Sequence, residues 1–430
     1  MDPGLPIFKH EETREFIKEQ LIHTKKTDTE IFNWLATAPK CSYLRVNTTL
    51  TDTSSLLNQV RKVVTPESIV QVDEHLEDVI VIQGIEDNSD LKDIDQSIDA
   101  KVLVGSACAA SVLRGAEVFA PGIMSAPASL SKGQKVLVYA DLENTVLKGA
   151  LTFNPADFLL IGQGIALLSR TDLFKNNIQS GVGIQMTKTT SRGTSARIND
   201  VLLQPLSSLY FMQNLPSILT VHQLELKADD KCLDLCAAPG GKTCHIASFL
   251  ETSTVLAFDK SVPKVQQIQQ NARRLGLADK IVARVQDATK VSDLPPESFD
   301  KILLDAPCSA LGQRPMLVQA SRLKELKSFA KLQKKLMEKA VSLLRPGGIL
   351  VYSTCTITLE ENEEMVKWAL ANFPSLDLCP TSPKVGQPGS ENILVDPEIC
   401  SKVQRFGPEQ DFTIGFFIAK FKKKIKDKSI

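Results

Sequence analysis

The sequence has no excess charge of either sign, because 50 Lys and Arg residues are matched by 50 Asp and Glu. Bulk attraction to a polyanion is thereby excluded, and any nucleic-acid contact must come from local basic patches. Also missing is an uninterrupted apolar run of the roughly 20 residues that a membrane-spanning helix needs, so no membrane partner is expected. No secretory signal precedes the nine cysteines, which are odd in number and irregular in spacing. Free thiols in a reducing compartment are expected, and with them a soluble, cytoplasmic protein. Cys232, Cys236 and Cys244 lie close together but form no C-x₂-C knuckle, and no His or Cys pair follows at finger spacing. Buried packing cysteines suit them better than a zinc site, so no metal is expected. Nothing points to an obligate dimer, which leaves a monomer, and 430 residues suffice for two or three domains.

What is present is organised around Cys232-Leu233-Asp234-Leu235-Cys236-Ala237-Ala238-Pro239-Gly240-Gly241-Lys242-Thr243. This reads as a short strand, a Gly/Pro turn and the start of a helix, an arrangement that lets a ligand approach the backbone and aims helix amides at it. Its glycines lack the spacing of a P-loop, so an NTPase reading is weak. The next apolar strand, Val255 to Phe258, ends in Asp259, about 20 residues on, where Rossmann-like units place a ribose-binding carboxylate; a strand-end cap is the plainer alternative. Asp287 follows the strand Ile281 to Val285, and Asp305 ends Phe299 to Leu304. In an open α/β sheet all of these converge at the carboxyl ends of the strands.

The remainder divides into three regions. Residues 1–98 read as an α/β appendage, with helices over Glu11 to Ile22, Thr29 to Ala36 and Leu56 to Val64 and strands at Tyr43 to Asn47 and Val79 to Ile82. It closes with a charged linker holding Glu86, Asp87, Asp90, Lys92, Asp93 and Asp95. Residues 99–176 show short apolar segments (Val102 to Val104, Val118-Phe119, Val136 to Tyr139) between Gly-rich turns, the pattern of a small β-barrel. Arg114, Phe119 and Lys148 offer a local RNA face there, with solvated surface charge as the ordinary alternative. Residues 177–430 alternate strand and helix as a parallel sheet does. They include a basic helix over Lys324 to Leu344, a turn at Arg345-Pro346-Gly347-Gly348 and a strand Ile349 to Thr356. Cys308, just after Asp305, and Cys355 stand at strand ends beside the crevice; they are either reactive thiols or buried packing residues.

Cys236 to Thr243, Asp305-Ala306-Pro307-Cys308-Ser309 and Tyr352-Ser353-Thr354-Cys355-Thr356, together and in this order, resemble the Sun-domain family of S-adenosylmethionine-dependent RNA cytosine-5 methyltransferases. Gln213 to Ser217 and Gly415 to Ala419 fit as well. The segment holding Val112 to Ala116 and Ala120 to Ile123 resembles the PUA domain carried by a tRNA-modifying branch of that family. The resemblance implies a Rossmann-like class I methyltransferase with a PUA barrel inserted after an N-terminal α/β region.

It further implies that Cys355 adds to cytosine carbon 6. Asp305 would stabilise the protonating ring and also border the cofactor, and Cys308 would assist product release. Cys236, Ala237, Ala238, Pro239, Gly240, Gly241 and Lys242 would close over the methionine end of S-adenosylmethionine, with Asp259 on its ribose and Asp287 on its adenine. The implied substrate is tRNA at cytosine 72, gripped at its acceptor stem and CCA end, with messenger RNA as a further substrate class. Basic residues from Arg322 to Lys339 and Lys420, Lys422, Lys423, Lys424, Lys426 and Lys428 would neutralise phosphates, unless the last group is a solubilising tail. Ala310 departs from the glycine common in the family, and Leu147 stands before Lys148 where a second basic residue is expected. The competing readings are a DNA cytosine-5 enzyme, which would use Cys308 as nucleophile, an amino-group methyltransferase, and a non-catalytic tRNA-binding scaffold.

Overall fold

Amphipathic spacing near the N-terminus yields helices α1 (Glu11–Leu21) and α2 (Asp28–Ala36) in the computed structural model, which describes residues 6–21, 24, 26–64, 68–84, 94–178, 180–190 and 203–425. Thr27 and Glu30 cap each other at the start of α2. Phe16, Ile17, Leu21, Ile31, Trp34 and Leu35 form one core with Leu311, Met316, Leu326 and Ile357 from the far half of the chain. These helices are therefore part of the catalytic half, not an appendage to it. Strand β1 (Cys41–Val46), helix α3 (Thr53–Val60), β2 (Ile69–Val72) and β3 (Val79–Gln83) follow. Helix α3 starts before Leu56 because the Asp52 carboxylate accepts the Ser55 amide, so Asp52 caps it. Of the charged linker, only Asp95 lies among the described residues.

The second region comprises β4 (Lys101–Gly105), α4 (Ser106–Leu113), β5 (Val118–Phe119), β6 (Ile123–Ser125), β7 (Lys135–Asp141), β8 (Leu159–Ala166) and β9 (Val182–Thr189). The strands form one sheet in the order β5-β9-β8-β7-β4-β6, whose two edges are joined by the turn Ala120–Gly122. Val102, Val104, Val112, Val136, Val138, Ile161 and Ile184 fill its interior. The sheet runs to Thr189, so residue 176 is not its end; Asn176 and Asn177 lie in the connection between β8 and β9. Strand β8 escapes a hydrophobicity reading because Gly162 and Gly164 sit where β9 crosses closely: a Cβ on Gly164 would lie 2.5 Å from the Gln185 carbonyl oxygen.

The chain then returns to the first sheet. Strand β10 (Tyr210–Met212) pairs antiparallel with β1, which gives the order β10-β1-β3-β2. After α5 (Leu215–His222) come β11 (Cys232–Asp234), α6 (Gly241–Phe249), β12 (Val255–Asp259), α7 (Val262–Arg274), β13 (Ile281–Val285) and β14 (Phe299–Asp305). The fold closes with α8 (Leu323–Leu343), β15 (Leu344–Thr354), α9 (Glu363–Asn372), β16 (Leu376–Cys379), β17 (Gln404–Phe406) and β18 (Phe416–Lys423). The main sheet runs β13-β12-β11-β14-β15-β18-β16, its first five strands parallel and β18 antiparallel to its neighbours, including β17. Apolar clusters cover both faces, as buried parallel strands require. Arg345 to Gly348 form an excursion inside β15: Phe299 pairs with Leu344 and Lys301 already with Ile349. Lys420 and Lys423 are buried in β18, where Lys420 meets Glu225 at 2.8 Å and Lys423 meets Glu297 at 3.1 Å. Both are held inside the fold and withdrawn from any phosphate-binding tail; Lys426 and Lys428 lie outside the described residues.

Candidate active site

The sheet order reverses between β11 and β14, and the crevice at such a switch point is where ligands bind in open α/β sheets. Its floor is the turn from Cys236 to Lys242. Gly240 has φ +102°, a left-handed conformation that disfavours any other residue. A Cβ on Gly241 would stand 2.8 Å from the Phe211 ring, whose centroid lies 5.5 Å from the Arg45 and 5.3 Å from the Arg274 guanidinium carbon. Arg45 also donates to the Gly241 carbonyl at 2.9 Å. Behind the turn, buried Asp234 accepts from the Thr243 hydroxyl at 2.7 Å and the Cys236 amide at 3.3 Å. Burial, only partly offset by these donors, pushes its carboxyl up to about 7.

Asp259 ends β12 and Asp287 lies two residues past β13, next to it in the sheet. Asp259 accepts the Ser261 amide at 2.9 Å, whereas one oxygen of Asp287 holds the Thr289 amide and hydroxyl at 3.0 and 2.7 Å. The Thr289 hydroxyl is the main reason the Asp287 carboxyl sits below its usual range.

Across the crevice, Lys242 Nζ lies 2.7 Å from Asp305 Oδ2, while Ser353 on the adjoining strand donates to Oδ1 at 2.6 Å. The thiols of Cys308 and Cys355 lie 3.4 Å apart. Their environments differ. Cys355 is held below the usual thiol value by the hydrogen bond from Cys308, with further help from Gln313 and the Lys242 charge. Cys308 is raised by that same bond, by burial and by the Glu361 carboxylate. The Lys242 charge and Gln313 on the side of Cys355, against the Glu361 carboxylate on the side of Cys308, favour ionisation of Cys355. Cys236, by contrast, is raised by burial among apolar neighbours.

Glu361 ties the two thiol loops together. It accepts the Ser309 amide at 3.0 Å, Gln333 at 2.8 Å and the Thr358 hydroxyl at 2.9 Å. Gln333 also donates to the Pro307 carbonyl at 3.0 Å, and Ser309 meets Thr356 at 2.7 Å. Ser353 lies inside the Tyr352 to Thr356 motif without a role of its own there, and Glu361, Gln333 and Gln313 lie outside every motif; the one available signal is the charged run from Glu360 to Glu364, in which Glu361 and Glu363 are buried.

The proposed RNA face is only partly assembled. Lys148 donates to the Pro121 carbonyl at 3.2 Å, beside exposed Phe119. Arg114 instead reaches the Arg314 carbonyl at 3.4 Å, next to Gln313, and joins the second region to the catalytic loops. On α8, Lys327 and Lys334 stand over the rings of Phe16 and Trp368, and Lys339 donates to the Val291 carbonyl at 2.7 Å. Cys232 and Cys244 are buried, and among the described residues neither they nor Cys236 belong to a set of donors close enough for a metal.

A family model described as 16S rRNA methyltransferase RsmB/F matches residues 221–422. The tRNA (cytosine(72)-C(5))-methyltransferase NSUN6 of Mus musculus is 40% identical over 434 residues, covering 90% of this chain and 88% of its own length. A tRNA (cytosine(72)-C(5))-methyltransferase of Pyrococcus horikoshii is 38% identical over 76% of each chain. The crystal structure of NSun6 from Pyrococcus horikoshii with SFG superposes with a TM-score of 0.77, at 31% identity, covering 98% of this chain and 100% of that one.

Proposed function

The chain belongs to the RsmB/F Sun-domain family of methyltransferases, and from that premise we propose that it methylates carbon 5 of cytosine 72 in tRNA, using S-adenosylmethionine. The observation that carries the reading is the pair of thiols 3.4 Å apart beside the Lys242–Asp305 ion pair. A single-thiol mechanism has no use for the second sulfur.

The residues present fit the cofactor. Gly240 and Gly241 let the turn pack against Ile268 and Phe211 and open α6 at the crevice, where helix amides favour a carboxylate, and Asp259 and Asp287 stand at the ends of neighbouring strands as ribose and adenine partners would. When bound, S-adenosylmethionine supplies an electrophilic methyl group. The Cys355 thiolate adds to cytosine carbon 6, and the electron pair displaced from the C5–C6 double bond makes carbon 5 nucleophilic. Asp305, oriented by Ser353 and Lys242, supports protonation at the ring nitrogen as that bond forms. Once carbon 5 carries the methyl, Cys308, its own proton given up to solvent, takes the carbon 5 proton; the C5–C6 double bond re-forms, the bond between carbon 6 and the Cys355 sulfur breaks to free the thiolate, and the ring nitrogen releases the proton it had gained. The Lys242 charge beside Cys355 and the Glu361 carboxylate beside Cys308 support this division of roles over the DNA-enzyme alternative, in which Cys308 would attack.

The six-stranded sheet from Lys101 to Thr189 acts as a PUA module for the CCA end and acceptor stem, with Phe119 and Lys148 on its contact face. A target base that is paired leaves its stack to enter the crevice, and messenger RNA hairpins that present an unpaired cytosine beside such a stem are a second substrate class.

The test uses purified protein, methyl-labelled S-adenosylmethionine and tRNA transcripts with or without the CCA end. Label should enter cytosine only when the CCA end is present and vanish in Cys355→Ala, while Cys308→Ala should accumulate a covalent RNA adduct. Tight tRNA binding with no methyl transfer to any RNA would overturn the assignment in favour of a scaffold.

A further inference from the structure

Only five histidines occur in the chain. Two of them, from different elements, meet on one carboxylate. His222 ends α5 and places Nε2 3.1 Å from Asp78 Oδ1; His245 lies in α6 and places Nε2 3.2 Å from Asp78 Oδ2. Asp78 comes from the loop before β3, so the cluster joins the first sheet to the helix that begins at the cofactor turn. The imidazole rings are 5.1 Å apart at 76°, and each residue offers a donor atom within 4.8 Å of the other two.

From this geometry we infer a divalent-metal site, with zinc the best match, held by Asp78, His222 and His245. Imidazole nitrogen and carboxylate oxygen are zinc's usual non-sulfur ligands, and ligands about 2.0–2.1 Å from a tetrahedral ion lie roughly 3.3 Å from one another; the two His–Asp spacings of 3.1 and 3.2 Å, on separate carboxylate oxygens, are close to that, and the three donor atoms together lie within 4.8 Å. Three protein ligands leave one position for water. The side chains of His222 and Asp78 keep 24% and 15% of their exposure, which opens the cluster on one side, while that of His245 is at 2%. His245 Nδ1 has no hydrogen-bond partner. The Asp78 carboxylate accepts from Nε2, so an ion binds there by displacing that proton, which the unpartnered Nδ1 is free to take up. The same absence means that no carbonyl or carboxylate reinforces the ligand, so the site is of moderate affinity and exchangeable, unlike a closed structural site. Its position on α6, three residues after Lys242, makes the metal a brace for the cofactor turn from outside the crevice. The reaction itself does not require it.

The test starts from full-length protein stripped with a chelator and desalted, in a Cys308→Ser background so that the thiol pair does not compete for zinc. Titration with zinc should leave one equivalent bound after desalting and raise the thermal midpoint, and cobalt should give a visible spectrum without a thiolate charge-transfer band. His222→Gln keeps an amide donor for Asp78 but removes the imidazole. It should fold, lose the bound metal and lose the zinc-dependent thermal shift. Wild-type-like zinc content in His222→Gln, or no zinc and no cobalt spectrum in the parent, would overturn the proposal and leave a purely hydrogen-bonded cluster. Because metal content and thermal shift are read without RNA, the result is independent of the methyltransferase assignment.

Discussion

One wall of the crevice is made of backbone and the other of side chains brought from far apart. The turn from Cys236 to Lys242 takes its course from a strand–turn–helix within residues 232 to 249, with Phe211, Ile268 and Arg45 packed against its glycines. The thiol wall depends on Glu361 and Gln333 clamping the loops that carry Cys308 and Cys355. The first wall has its backbone course set locally, whereas the second fails when any one of its distant partners is removed.

The strongest way to break that contrast is Glu361→Ala. It strands the Ser309 amide, Gln333 and the Thr358 hydroxyl and lets the thiols part; misplacing reacting groups by about 1 Å costs on the order of 10²-fold. Single-turnover methylation should fall by about that factor with cofactor affinity unchanged, and an equal loss in both would show that the walls are not separable. Gly241→Ala probes the opposite wall. The new Cβ must displace Phe211, an overpacking that costs roughly 1–3 kcal/mol. Calorimetry should show cofactor affinity reduced about tenfold or more, while the iodoacetamide reactivity of Cys355 stays as in wild type.

A titration sharpens the comparison further. Asp234, beneath the turn, has its carboxyl at about 7 when folded, against about 4 in an unfolded chain. Between those values the folded state holds a proton that the unfolded state has released, so stability falls as pH rises from about 4 to about 7, by up to roughly 4 kcal/mol. Asp234→Asn should flatten that stretch of the thermal-midpoint profile; an unchanged slope would show that Asp234 does not titrate there. The smallest effect concerns the thiol wall. Ala310 has φ +57°, so the glycine usual in the family suits the loop better, and Ala310→Gly should stabilise by about 0.5–1 kcal/mol in denaturant melts. Destabilisation would show that the Ala310 methyl has a packing role worth more than the strain.

The same contrast explains what was legible in the sequence. The turn, Asp259, Asp287 and Asp305 could be read because strand period, Gly/Pro punctuation and strand-end acids are local signals. Cys308 and Cys355 could be placed at strand ends, but their 3.4 Å approach could not, since it depends on the parallel pairing of Asp305 with Ser353. Glu361 stands in an acidic run that carries no period or motif, and only the fold buries it. Strands β8 and β9 were missed because Gly162, Gly164 and Gly183 dilute their apolar pattern, although each glycine marks a close crossing. The three residues of β10 are too few to show a period, so nothing revealed that the first sheet is completed from beyond the second region.

That return of the chain has a consequence for synthesis on the ribosome. The sheet spanning Lys101 to Thr189 is wholly translated before Tyr210–Met212 emerges, so until then the free edge of β1 has no partner. At elongation rates of about 5–20 residues per second this open edge persists for several seconds, long enough for a chaperone, or a neighbouring nascent chain, to occupy it. Ribosome-stalled chains ending near residue 205 should therefore capture a peptide with the sequence of residues 208–214, and chains ending beyond residue 250 should not.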